Sequence, residues 1–247
     1  MKKQFITLGI IALLSLSAFA QQSCGTVKDY DGNTYKTVQL GSQCWMAENL
    51  KTTHYADGTL IDFYDNKPKS SILFYVYPNS NPNNKSTLGL MYSWAAAIHL
   101  TESNNMLWVD EQGVCPEGWH VPSKKDWDQM LDYVSKQNQF RCGGNTEYIA
   151  KSLASQTGWD ASDFTCSKCS VGKNPEKNNL TGFNAKPTGG FLFTESKVGE
   201  AAYFWTSTES VYYDARAYVK CLSPGSEEVM EESAHMNGCY SVRCLRD

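Results

Sequence analysis

Beyond its first twenty residues the sequence lacks any apolar run long enough to span a bilayer as a helix. It also lacks a charge bias: 22 Lys and Arg stand against 26 Asp and Glu, a formal net charge of −4. That leaves no broad basic field for nucleic acid or an anionic membrane. Histidine is scarce, with four scattered copies. No P-loop, dinucleotide fingerprint, Ser-His-Asp order or recognisable carboxylate pair occurs. These absences exclude several enzyme classes and leave no cofactor, metal or catalytic residue to expect.

What is present begins with MKKQFITLGIIALLSLSAFAQQSC. Lys2 and Lys3 form a charged start, Phe5 to Leu16 a short apolar run, and Ala18-Phe19-Ala20 a small-x-small cleavage site. Residues 1–20 therefore read as a signal peptide, with the mature chain starting near Gln21. Gln21-Gln22-Ser23 before Cys24 does not fit a lipoprotein site. All nine cysteines follow that cut. In an oxidising compartment their default state is disulfide, and an odd count leaves one over. Export to the periplasm, the cell surface or the medium is the expectation.

Along the chain, residues 25–62 read as a β unit turning at Asp31-Gly32 and at Gly41-Ser42. Residues 65–87, rich in Asn, Pro and Ser, read as a long surface loop. A short helix is predicted over Tyr92 to His99, another around Tyr148 to Ser155. The clearest local signal lies in CPEGWHVPSKKDWDQML, from Cys115. Ser123 can cap a helix with Asp126 three residues on, and Pro122 can staple against Trp127. Trp127, Met130, Leu131 and Val134 then recur at helical spacing. Residues 156–190 show little periodicity. The last third turns to short β-like runs at Gly190 to Phe193, Tyr203 to Thr206, Ala215 to Cys221 and Tyr240 to Arg246. Residues 222–237 form an acidic, polar excursion between two of them. No repeat or linker divides the mature chain, so residues 21–247 read as one α+β domain.

Five stretches, GNTYKTVQLGSQCWMAENLK (32–51), GLMYSWAAA (89–97), CPEGWHVPSKKDW (115–127), FWTST (204–208) and SVRCLRD (241–247), occur in an order that resembles the Fibrobacter succinogenes major paralogous domain family. The resemblance covers nearly all of the mature chain. It implies a C-type-lectin-like fold, distantly similar to the formylglycine-generating enzyme domain: a small twisted antiparallel sheet flanked by short helices, with long loops and disulfides. It also implies pairings. Cys115–Cys244 would close the domain, Cys221–Cys239 would staple the acidic excursion, and Cys24–Cys44 would tie the N-terminus to the first hairpin. Cys142, Cys166 and Cys169 remain for one bridge and one leftover thiol, and residue order alone does not fix the connectivity.

Each candidate site has a plainer reading beside it. Cys166-Ser167-Lys168-Cys169 has CxxC spacing, yet no second ligand pair for zinc and no strand-helix frame for redox work, so a structural disulfide is favoured. His120 reads as packing plus a backbone hydrogen bond. Asp29-Tyr30-Asp31-Gly32-Asn33 superficially resembles a calcium loop, but its glycine is misplaced and position twelve is Leu40. Calcium-binding lectins of the implied fold carry Trp-Asn-Asp where this chain reads Trp205-Thr206-Ser207. Cys239 and Cys244 share a C-x4-C spacing with the catalytic pair of the formylglycine-generating enzyme, but SVRCLRD matches the closing strand of the fold.

The band AAYFWTSTESVYYDARAY (201–218) is the candidate contact surface. It mixes rigid aromatics with adaptable hydroxyls, as recognition surfaces do: Tyr203, Trp205, Ser207, Glu209, Tyr212, Tyr213 and Arg216 are the candidate ligand-binding residues. Alternating aromatics in strands are usually core, which weighs against Trp205. The reading is thus an exported, non-catalytic binding module that recognises a glycan or a surface protein through its C-terminal loops. The alternatives are an enzyme using a cysteine pair and a structural component of the cell envelope.

Overall fold

The computed structural model describes residues 22–65, 72–103, 106–108, 112–162, 167–192 and 194–247. The expected signal peptide and Cys166 lie outside the described residues. The architecture is mixed, with mostly antiparallel sheets, a few short helices and three disulfides.

The chain opens with strands Thr26–Lys28 (β1), Thr34–Leu40 (β2) and Gln43–Met46 (β3), joined by the two expected turns. At the first turn Asp29 accepts hydrogen bonds from the amide and the side chain of Asn33, both at 2.8 Å. Its carboxylate thus serves the turn, as Asx side chains do. Short strands Asp62–Phe63 (β4) and Phe74–Val76 (β5) follow, then Met91–Ser93 (β6). The stretch 65–87 is thus not a continuous loop. Tyr75 and Val76 form β5 because they pair with Tyr92 and Met91 of β6 and are buried there, while Phe74 pairs with Asp62 of β4. Helix Lys85–Leu88 (α1) closes this stretch, and Trp94–Ala97 (α2) follows β6, shorter than expected because residues 91–93 are strand.

Two strands, Thr101–Ser103 (β7) and Met106–Trp108 (β8), pair with each other and, among the described residues, with no other strand. Trp119–His120 (β9) leads into helix Lys124–Lys136 (α3). The predicted capping box is present: the Ser123 hydroxyl accepts from the Asp126 amide, and the Asp126 carboxylate accepts from the Ser123 amide. Trp127, Met130 and Val134 are buried on one face, while Leu131 is half-buried. Helix Ala150–Leu153 (α4) is short.

The C-terminal third contains Gly190–Leu192 (β10), Thr194–Ser196 (β11), Ala202–Glu209 (β12), Arg216–Leu222 (β13), Met230–His235 (β14), Cys239–Tyr240 (β15) and Leu245–Arg246 (β16). The acidic excursion is therefore not loop throughout: its second half is β14, paired residue for residue with β13 from Arg216↔His235 to Cys221↔Met230. Its charged residues occupy an edge strand, where charge suppresses unwanted pairing.

Three larger sheets result, ordered β1-β2-β3-β16-β9, β11-β10-β15-β6-β5-β4 and β12-β13-β14. The final strand sits inside the first sheet, with Leu245 opposite both Trp45 and His120. Beside it Cys115 is bridged to Cys244 at a Cα separation of 5.9 Å, and Cys24 to Cys44 at 6.1 Å. Cys169, by contrast, is bridged to Cys142 at 5.5 Å and not to Cys166. Cys169 lies in one turn and Cys142 in a 3-10 turn 27 residues earlier, so the bridge joins two separate segments.

The Cys221–Cys239 pairing is also corrected: both are free and buried. Strand β12 runs between them. Tyr203 pairs with Cys221 along one edge, and Phe204 bridges Ser241 along the other. Two strand spacings amount to about 10 Å, whereas a bridge needs Cα atoms within about 7 Å.

The apolar interior forms two main clusters. One gathers Tyr35, Met46, Leu50, Tyr92, Trp94, Trp119, Trp205 and the Cys115–Cys244 bridge. The other is aromatic at its centre: Trp127 lies 5.0 Å from Trp45 and 5.5 Å from both Phe183 and Phe204, ring centre to ring centre. Edge-on and tilted packing of this kind adds to the gain from area burial.

Candidate functional site

The β12–β13 hairpin carries every residue singled out as a ligand contact, and the fold divides them sharply. Trp205 has 0 % exposure, and its indole N–H donates to the Tyr92 carbonyl at 2.8 Å. As a contact residue it is a correction: β12 is covered on both faces here, with Phe204, Trp205 and Thr206 all buried in succession. Tyr203 is half-buried, its ring 5.1 Å from that of Tyr240. Burial pushes the Tyr203 hydroxyl well above its ordinary range.

Between Trp205 and Glu209 the ladder slips, with Trp205 opposite Val219 but Glu209 opposite Ala217. The bulged segment docks onto α3. The Thr206 hydroxyl donates to Tyr218 O at 2.9 Å, and the Lys124 amide donates to the Thr208 hydroxyl at 3.0 Å. Bulges bend a strand and re-aim the side chains beyond them. Past the bend come exposed Glu209 and the tip, where Val211, Tyr212 and Tyr213 are 81 %, 79 % and 62 % exposed. A Ser210 amide bond to Arg216 O at 2.8 Å closes the tip loop. The Arg216 guanidinium lies 5.6 Å from the Tyr213 ring centre while donating to Ser233 O at 2.7 Å.

The hairpin base is held by charge. Buried Lys220 of β13 reaches Asp128 of α3 at 2.7 Å and Glu231 of β14 at 2.6 Å. Lys124 contacts the same two carboxylates, each at 2.9 Å. Hydrogen bonds donated to Glu231 and Asp128 raise the Lys124 amine well above its usual range. Burial works to raise both carboxyls, but the two lysines together outweigh it and hold them low. Alternating signs in a partly buried network fix the orientation of the sheet on the helix.

Ser207 belongs to a different place. It lines a cavity of about 350 Å³ together with His120, Ser123, Asp126 and Asp247. His120 Nδ1 lies 2.6 Å from Asp247 Oδ1, and Nε2 lies 3.8 Å from Asp126 Oδ2. The expected backbone hydrogen bond is thus replaced by two carboxylates. Asp126 and Asp247 raise the imidazole pKa, with burial opposing them. The imidazole in turn lowers the Asp126 carboxyl to about 2, aided by the Ser123 hydroxyl and amide. At 3.8 Å the imidazole acts as a neighbouring charge; the short contacts are those of Ser123, at 2.6 and 2.8 Å.

The cysteine pair has no reactive geometry. Cys244 is bridged to Cys115, and burial pushes the Cys239 thiol far above its ordinary value. Burial likewise raises the Cys221 thiol to about 12. A nucleophilic cysteine requires the opposite. No group of three His, Cys, Asp or Glu side chains among the described residues is placed to hold a metal ion.

One polar site escaped sequence reasoning. Arg243 is wholly buried, with Nε donating to Asn49 Oδ1 at 2.7 Å and Nη2 to Asn184 O at 2.8 Å; Nη1 reaches the Met46 and Phe183 carbonyls. Burial lowers its pKa to about 9. Its guanidinium also stacks 4.6 Å from the Phe183 ring centre. Next to Asn49 and Asn184 opens a cleft of about 550 Å³ that Lys36, Lys51 and Lys186 also line. Lys36, Asn49, Lys51 and Arg243 fall within the first and last of the five quoted stretches, but nothing in those stretches marks them as one site, and Asn184 and Lys186 come from a distant segment.

No helix among the described residues is long and apolar enough to cross a membrane, and the three disulfides suit an oxidising, non-cytoplasmic setting. No curated protein and no solved structure matches the chain. The Fibrobacter succinogenes major domain matches residues 38–246, a span that runs from β2 to β16 and takes in the hairpin, the capped helix and the closing strand; the chain belongs to that family.

Proposed function

We propose that the chain is an exported, non-catalytic binding module with a C-type-lectin-like arrangement, and that it grips a cell-surface protein with the tip of the β12–β13 hairpin. One observation carries the reading: Val211, Tyr212 and Tyr213 stand side by side in solvent at the end of a hairpin whose base is locked to α3. Large exposed apolar side chains in one short run mark contact surfaces. Tyrosine beside arginine is the pairing from which interface hot spots are built. A rigid base lowers the ordering cost of binding. The convex tip suits a protein partner better than a small solute, which would need a cavity. The N-terminal segment and the disulfides support export. The enzyme alternative loses its chemistry, because one of its two cysteines is bridged and the other is buried.

The test uses the protein and its Tyr212→Ala, Tyr213→Ala double variant, each immobilised and exposed to outer-surface proteins from neighbouring cells. A partner identified on the wild-type protein should bind the double variant at least tenfold more weakly, with the thermal midpoint unchanged. Equal binding by both proteins would rule out the tip. A structural role in the cell envelope would then lead.

A further inference from the structure

The hairpin reading leaves the cleft beside Arg243 unused, and its lining differs in kind from the tip. None of its lining residues is aromatic, and only Val38 and Ala47 are apolar beyond glycine. A ligand there would be held by charge and hydrogen bonds, not by stacking.

The charges are unbalanced. Lys36, Lys51 and Lys186 all line the cleft, and among the described residues none of them forms an ion pair. The only carboxylate in the lining, Glu48, accepts the Lys36 amide at 2.9 Å. Lys51 lies over the Tyr35 ring at 5.4 Å, and among the described residues the Lys186 amine has only the Thr157 hydroxyl, at 3.5 Å. Behind the wall stands Arg243, a fully buried cation solvated by carbonyls and the Asn49 amide oxygen; among the described residues no carboxylate hydrogen-bonds to it, and Glu48 acts on it only as a nearby opposite charge. Burial, and to a smaller extent the Arg243 charge, lower the Lys186 pKa. In a chain of net charge −4, this is a local concentration of positive charge in a concave site, where low-dielectric walls focus it.

The uncharged lining offers neutral polar groups. The Asn184 side-chain amide makes no hydrogen bond among the described residues, although its backbone is fixed in the left-handed region at φ +58° and its carbonyl accepts from Arg243. The hydroxyls of Ser86 and Thr87 make only long bonds, of 3.4 Å, to the chain behind them. Amide and hydroxyl groups with a free donor or acceptor suit a ligand dense in hydroxyls. A peptide would call for apolar side-chain pockets, which the lining does not provide.

We propose that this cleft binds an acidic oligosaccharide. Its carboxylate or sulfate would be held by Lys51 and Lys186, with Lys36 at the rim, and its hydroxyls by Asn184, Ser86 and Thr87. A volume of about 550 Å³ falls in the range of small-ligand sites. The site shares no residue with the hairpin tip, so the two stand or fall separately.

Calorimetric titration of the protein with trigalacturonate, neutral galactotriose, a sulfated trisaccharide and triglutamate tests it. Trigalacturonate or the sulfated sugar should bind, tighter at low salt than at 0.5 M, and the better of the two names the anion. Galactotriose should bind at least tenfold more weakly. Lys51→Ala with Lys186→Ala should weaken acidic-sugar binding at least tenfold. The exposed rim variant Lys36→Ala, which removes no buried group, should weaken it about threefold and serves if the double variant fails to fold. Binding of galactotriose as tight as that of the acidic sugars overturns the proposal. So do binding of triglutamate alone, unchanged binding by the lysine variants, and no binding by any probe. A Tyr212→Ala, Tyr213→Ala variant should titrate as the wild type does, which separates this site from the tip.

Discussion

The two ends of the β12–β13 hairpin have little in common beyond the chain that joins them. At the base, Trp205 and Val219 face each other inside the core, and Lys220 spends its charge on two carboxylates. At the tip, three large side chains have no packing partner of comparable size and only Arg216 leans over Tyr213. The bulge at Thr206–Thr208 separates the two regimes. Aromatic residues in one hairpin are therefore buried or exposed according to which side of a bulge they occupy, and composition alone does not distinguish them.

The largest effect expected from breaking this arrangement comes from the frame behind the base. The Cys115–Cys244 bridge lies in the same apolar cluster as Trp205 and spans 129 residues of sequence. Replacing both cysteines with alanine should lower unfolding free energy by about 4 kcal/mol, read from urea denaturation, if the constraint acts mainly on the unfolded chain. A loss below about 1 kcal/mol would mean that packing alone holds the frame. Trp205→Ala should cost about 3 kcal/mol, combining a large core void with the orphaned Tyr92 carbonyl.

A smaller effect is expected at His120, and its sign depends on pH. The imidazole pKa is raised in the folded state, so its contribution to stability is complete below about pH 6.5 and is lost as pH rises through the folded value. The Asp126 carboxyl is lowered to about 2, so its contribution is complete above about pH 4 and falls away toward pH 2. The contact should therefore be strongest between about pH 4 and 6.5. His120→Gln should flatten the stability profile across pH 6 to 8, with less than about 1 kcal/mol lost, since the pair is partly solvated. An unchanged profile would place the proton elsewhere. The smallest effect belongs to the tip: Tyr212→Ala with Tyr213→Ala should shift unfolding free energy by less than about 0.5 kcal/mol. A larger loss would show the tip to be packed, and the contrast between the two ends would collapse.

Several features are legible without any knowledge of the fold because their causes are local. Ser123 and Asp126 sit three residues apart, which is all a capping box requires, and Trp127, Met130 and Val134 mark the buried face by spacing alone. Asp31-Gly32 needs only its own turn. Strand β14 is not legible, because MEESAH carries an edge-strand pattern, charged and half-exposed, that resembles loop composition. Cysteine partners read unevenly for a related reason. Cys142 and Cys169 lie 27 residues apart, and nothing in either neighbourhood signals the other. The lysine cleft leaves no trace in the sequence, since Lys36, Lys51 and Lys186 are unremarkable one by one.

By itself the sequence determined what short-range chemistry decides: the turns, the capped helix, and the concentration of aromatics and cysteines that an oxidised β-rich fold uses. Tertiary structure alone decided which of those aromatics face solvent, which sulfurs meet, and that a buried arginine stands behind three lysines that form no ion pair among the described residues. The reason is physical. Caps and turns are settled by neighbours within a few residues, whereas burial, bridging and a shared electrostatic field depend on which distant segments are brought within a few ångströms of one another.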